Sequence, residues 1–363
     1  MNQASSPLWP TLLGAAVLLT FTGVLHAAPT EQQWQTVNHA LVDEHIIPRY
    51  QHLAESSAAL ATRTEQLCQQ PDQAHLNAAQ QAFHHTMDDW QAVQHIQFGP
   101  IENLMRNFSM QFWPDKKNLI GKQLNILLAE QDPATLKTDA LYKASIGVKG
   151  LPALERLLFT GQLSELENNS YRCQLTSTIA AYVAENSAAT VTEWQQEYSA
   201  SVFNAGSEDS YYDNHQEAAV DMLKSLVEPV EAIRDQKILR PLDNGEKVRP
   251  RRSESWRSER SIRNIQLNMA SLQNLYAGNS HSVDSLLREQ GAAAQADQIS
   301  ALFSHIIGQL KNVKGPLATS LYQAETVTQL QQISTALKQL DAELNAAMQT
   351  LDIQLGFNSR DGD

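Results

Sequence analysis

A glutamate stands inside an apolar helix face at "VKGLPALERLLF" (Val148 to Phe159). Leu154, Leu157 and Leu158 form the stripe, Gly150 loosens the chain ahead of it, and Pro152 suits a first helical turn. Glu155 lies within that surface, so its carboxylate must be solvated at the stripe's edge, paired, or used. Two histidines raise a similar question. His95 lies among apolar residues near the end of a helical run in "HHTMDDWQAVQHIQFGPI" (His84 to Ile101), and His45 stands just before a proline in "VDEHIIPRY" (Val42 to Tyr50). Imidazoles so placed are either metal ligands or hydrogen-bonded core groups. His85 and Asp89, at i and i+4, read as an exposed helix pair.

Arginine is concentrated in one place. Arg240, Arg249, Arg251, Arg252, Arg257, Arg260 and Arg263 crowd a short stretch of an acidic chain. Within it, "RRSESWRSERS" is expected to open a helix with Ser253 or Ser255 as N-cap. A helix start beside arginines suits a carboxylate or phosphate, although the same arginines can pair with the chain's own acids. Trp256 reads as a core anchor. The sequence contains no G-x-S-x-G, no H-E-x-x-H, no phosphate-cradling glycine loop and no dinucleotide fingerprint.

The elements that must position these residues are helices. The chain is rich in Ala, Gln, Leu and Glu, and its apolar residues recur at three and four with hardly any strand alternation. Gln32–Gln66 reads as one long helix or two, broken near Pro48, and Gln73–Phe98 as another, stopped by Gly99 and Pro100. Helices over Leu119–Glu130, Leu151–Thr160 and Tyr171–Ala205 complete a first half. "NAGSEDSYYDN" (Asn204 to Asn214) has the composition of a junction. Beyond it, helices are expected at Gln216–Gln236, Trp256–Tyr276, Val283–Arg288, Ala294–Val313 and Val327–Leu351. The expected fold is all-α: two helical bundles over residues 29–205 and 206–363, with a diverged duplication as one account of the pair.

Length and charge narrow the functions. The chain has 363 residues, 42% of them hydrophobic and 18% charged, the profile of a folded protein. A net charge of −13 argues against nucleic acid as a partner and against an anionic membrane surface. The uncharged run "LLGAAVLLTFTGVL" (Leu12 to Leu25), followed by "HAAPT", reads as a secretory signal peptide over residues 1–28, cut near Ala27 or Ala28. No later stretch is apolar enough to span a membrane, so the mature protein is expected to be exported, with no integral membrane segment. Export makes Cys68 and Cys173 candidates for one disulfide worth roughly 2–4 kcal/mol, with two separate thiols as the alternative.

Four segments, "DDWQAVQHIQFGPI", "FWPDKKN", "GLPALERLLF" and "RPRRSESWRSERSIRNI", together resemble the imelysin-like family, in its order and over essentially the whole mature chain. The resemblance implies an all-helical fold of two bundles, exported to the periplasm or the outer surface of a Gram-negative cell, with a link to iron uptake. It also implies a metallopeptidase label, through a G-x-H-x-x-E motif whose His and Glu would bind metal. Here that motif falls on Gly150 to Glu155, and Pro152 occupies the place of the histidine. Proline offers no lone pair, and Glu155 alone cannot fix a catalytic zinc, which takes about three protein ligands.

The site expected from these residues is a polar pocket between helices. Glu155, His45 and His95 are its candidate metal ligands, and Asp115, Arg252 and Arg257 its candidate ligand-binding groups. Glu155 paired with an arginine such as Arg257 is the structural alternative. The leading expectation is a non-catalytic periplasmic protein that binds iron, another divalent metal or a metal-bearing ligand in iron uptake, alongside a membrane transport component. A metallopeptidase with rearranged ligands and an interaction scaffold for a membrane partner are the competing readings.

Overall fold

The computed structural model describes Met1 and residues 28–161, 163–167, 169–243 and 247–356. The expected signal peptide and the carboxyl-terminal "NSRDGD" lie almost wholly outside the described residues. The fold is all-helical, as expected. Helix α1 (Glu31–Ala40) starts in a capping box, in which Thr30 Oγ1 accepts from Gln33 N (3.3 Å) while Gln33 Oε1 accepts from Thr30 N (2.9 Å). It runs into a widened helical turn, Leu41–Ile46, and then into α2 (Ile47–Gln69). The expected break at Pro48 is absent because the proline sits in the first turn of α2, where a missing N–H is harmless.

Helix α3 (Gln73–Val93) ends earlier than the sequence pattern suggests. The chain unwinds after Val93, well short of Gly99, and this places His95 and Ile96 in the core. Helix α4 (Leu119–Glu130) is followed by α5 (Gly150–Phe159) and α6 (Ser170–Glu193), with Asn169 capping α6 through Arg172 N (2.9 Å). Further along the chain come α7 (His215–Ala232), α8 (Ser261–Ala277), α9 (Val283–Glu289), α10 (Ala293–Asn312) and α11 (Ala324–Thr350).

The helix expected from Trp256 begins at Ser261 instead, and neither Ser253 nor Ser255 caps it. Residues 253–260 form turns in which Ser255 (φ +47°) and Glu259 (φ +60°) adopt the left-handed conformation. Glu155, described below, supplies the reason.

Helix α2 lies between α3 and α6, and α5 packs on α3 and α6. Helix α10 packs on α8, α9 and α11, and α11 on α7. Earlier and later helices also meet where α1 packs on α7 and α3 packs on α8. Trp34, Trp90, Trp194, Tyr50, Phe83 and Phe303 are buried. Cys68, at the end of α2, is bonded to Cys173, in the first turn of α6, with their Cα atoms 5.4 Å apart. No helix among the described residues is long and apolar enough to cross a membrane.

Candidate functional site

Helix α5 is placed by a close approach. Gly150 has φ +77°, and a Cβ there would lie 2.1 Å from the carbonyl oxygen of Ser109, so only glycine lets the two backbones meet. The helix then buries Leu151, Leu154 and Leu158, and Glu155 with them. The carboxylate is paired with backbone. Glu155 Oε1 accepts from Arg257 N (3.1 Å), Ser258 N (2.9 Å) and Ser258 Oγ (2.8 Å). Burial raises its pKa, and these donors oppose the shift. Glu155 thus occupies the N–H groups of the turn that was expected to be helical, which holds residues 253–260 outside α8.

A second carboxylate of that turn enters a buried network. Glu254 Oε2 pairs with Lys237 Nζ (2.9 Å) and accepts from Asn264 (2.9 Å), while Oε1 accepts from Gln111 (2.8 Å). Lys237 Nζ also donates to Gln91 Oε1 (2.8 Å) and Asn268 Oδ1 (2.7 Å), so all three of its hydrogens have acceptors. Burial lowers the Lys237 pKa, and Glu254 opposes this. Sequence reasoning missed this network; a lone Lys in "AIRDQKIL" carries no signal of burial.

The arginines divide by partner. Arg249 and Arg252 bind Asp243 (2.8 and 2.9 Å), and Arg260 and Arg263 share Asp88. Arg251 and Arg257 lie against the ring of Trp256, 5.6 and 4.3 Å from its centroid, so Trp256 is half-buried under cations rather than anchored in the core. Asp115 caps α4, accepting from Leu119 N (2.7 Å) and Ile120 N (3.0 Å). Asp115 and Arg252 therefore each have an internal partner, and Arg257 bonds Glu155 through its backbone N–H while its guanidinium charge also favours the carboxylate.

The histidines do come together. His45, in the widened turn before α2, and His95, in the unwound end of α3, face each other with Nε2 atoms 2.8 Å apart. His45 Nδ1 lies 3.0 Å from Asn274 Oδ1, which also accepts from Arg49 (2.8 Å). Arg49 and Asn274 were not singled out from sequence. Burial lowers both histidine pKa values, that of His95 to about 3.

The donors expected for a metal are thus split. Glu155 is engaged with the Arg257–Ser258 backbone through Oε1, and the imidazoles are hydrogen-bonded to each other, which uses both Nε2 atoms. Among the described residues no three His, Cys, Asp or Glu side chains are placed to hold a metal. As arranged, these residues do not fit a catalytic zinc. A cleft of about 530 Å³ opens beside His95, lined by Glu102, Tyr198, Tyr211, Asp221 and Lys224 among others.

Residues 46–344 match the family model described as imelysin. Iron-regulated protein A of Synechococcus elongatus is 26% identical over 319 residues, which cover 85% of this chain and 83% of that protein. Two crystal structures share the fold. An imelysin-like protein of Psychrobacter arcticus superposes with a TM-score of 0.77 at 19% identity, over 91% of this chain and 99% of its own. A protein of Parabacteroides distasonis, described as an iron-regulated protein A precursor, gives 0.73 at 16% identity, over 90% and 97%.

Proposed function

The chain belongs to the imelysin family, and from that premise we propose that it is an exported, non-catalytic binding protein that handles iron, another metal or a metal-bearing ligand in iron uptake. One observation carries the reading. The carboxylate at the family's metal-motif position, Glu155, gives its Oε1 to the Arg257 and Ser258 N–H groups, beside a proline where the motif has histidine. A catalytic zinc takes about three protein ligands and keeps one position open. At this motif helix α5 offers a single carboxylate, and one of its two oxygens is already bonded. The name of the Synechococcus relative supports an iron-linked role. A metal-bearing ligand, broader than a bare ion, suits a chain whose described His, Cys, Asp and Glu residues form no three-donor cluster.

The apolar run Leu12–Leu25 and the disulfide support the periplasm as compartment. A membrane transport component as partner, and a division into bundles 29–205 and 206–363, belong to the same proposal.

The test combines calorimetric titration with zinc and ferrous iron and a peptide-hydrolysis assay with and without EDTA. No hydrolysis is expected in either condition, and EDTA-sensitive cleavage overturns the reading in favour of a peptidase. Pro152→His is expected to raise metal affinity by about tenfold or more, since it puts an imidazole one turn from Glu155. Combining it with Glu155→Ala should abolish the gain. Equal affinity in all three proteins means that the start of α5 is not a relic of a metal site.

A further inference from the structure

The cleft beside His95 carries chemistry outside that reading. Hydrogen bonds around the two histidines fix their protons. Arg49 has only donors, so the Asn274 atom it reaches is the amide oxygen. His45 Nδ1 meets that same oxygen and must bear its hydrogen. His45 and His95 are both buried beside the Arg49 guanidinium, where a further positive charge is unfavourable, so the pair is uncharged and its Nε2 atoms share one hydrogen. With Nδ1–H on His45, that hydrogen belongs to His95, whose remaining lone pair is on Nδ1. That atom is buried, and no described residue donates to it. A buried acceptor without a donor costs about 1–3 kcal/mol, so the position favours a ligand that brings one.

His95 is part of the wall of the 530 Å³ cleft, a small-molecule size. Glu102 and Asp221 line the same space and lie close enough that the charge of Asp221, after burial, raises the Glu102 pKa. Tyr212 OH donates to Asp221 Oδ2 (2.9 Å) and steadies it, and Tyr198 and Tyr211 add aromatic surface. Lys224 in the same lining offsets one carboxylate, but Glu102, Asp221 and Glu228 leave the wall net acidic, and with an acceptor nitrogen lacking a donor and tyrosine rings it has one complement. It is positive charge that carries N–H groups. A bare metal ion complements the cleft less well, because no three donors converge among the described residues.

We propose that this cleft binds a small organic cation bearing ammonium groups, with one N–H directed to His95 Nδ1 and the charge held against Glu102 and Asp221. The probes are 1,4-diaminobutane and spermidine, titrated calorimetrically into the full mature chain at low ionic strength, with succinate as anionic control. Saturable binding of at least one amine and none of succinate is expected. Asp221→Asn and Glu102→Gln should each weaken it by about tenfold while leaving the thermal midpoint nearly unchanged. In ¹⁵N spectra the His95 Nδ1 resonance should move on titration.

His95→Phe also removes the bond to His45 and can unfold the chain, so the carboxylate variants and the spectra decide. Absence of saturable heat with both amines overturns the proposal, as does equal affinity in wild type and carboxylate variants. It also fails if zinc or ferrous iron displaces the amine and the same variants weaken the metal instead. None of these outcomes bears on Pro152 and Glu155, whose variants test the family-based function separately.

Discussion

His95 has its pKa pulled from the ordinary 6.5 to about 3, chiefly by burial and secondarily by Arg49. Because the folded value lies below the unfolded one, the unfolded chain takes up the proton first as pH falls. The neutral imidazole therefore contributes stability above about pH 6.5 that is lost progressively toward pH 3, at up to about 1.4 kcal/mol per pH unit. His45 and His84 shift in the same direction. Glu155 and Asp89, whose pKa values are raised, act with the opposite sign as pH falls toward the ordinary carboxylate values. Denaturant midpoints measured between about pH 7.5 and 5.5 should therefore fall steadily with acid, and a flat profile contradicts a buried neutral pair. The types of these residues were legible from sequence, and Arg257 was named there as an alternative partner for Glu155, although as a guanidinium rather than as the N–H donor it is. Asn274 was not legible, because it meets His45 across 229 positions, a distance that no local spacing rule spans.

Among the elements, helix bodies were legible because the apolar period of 3.6 persists along α2, α3 and α11. Two ends were not. The pattern of α3 runs on to Phe98, but the chain leaves the helix after Val93 and buries His95. The arginine-rich segment has the composition of a helix start, yet Glu155 takes its N–H groups and α8 waits until Ser261. In both cases a distant side chain or buried surface outweighs local propensity. The link between α2 and α6 was expected from the compartment and is present. Thiol labelling of the unreduced, denatured protein should find no free cysteine. Cys68→Ser with Cys173→Ser should cost roughly 2–5 kcal/mol in denaturant unfolding. Two labelled cysteines per chain would contradict the bond.

At the scale of the molecule, Lys237 and Glu254 sit where several elements meet. Gln91 from α3, Asn264 and Asn268 from α8, and Gln111 from the stretch before α4 all converge on the pair. Lys237→Met leaves Glu254 buried and unpaired and should destabilise the chain by about 3–5 kcal/mol. Adding Glu254→Gln should recover a large part of the loss, because the stranded charge is gone; purely additive losses would show that the ion pair is not coupled. The Cys68–Cys173 bond has another effect at this scale. It closes residues 68–173 into a covalent ring that carries α3, α4 and α5. A protease that clips the exposed turn at Lys116–Lys117 releases no fragment. The two pieces remain one molecule until a reductant parts them.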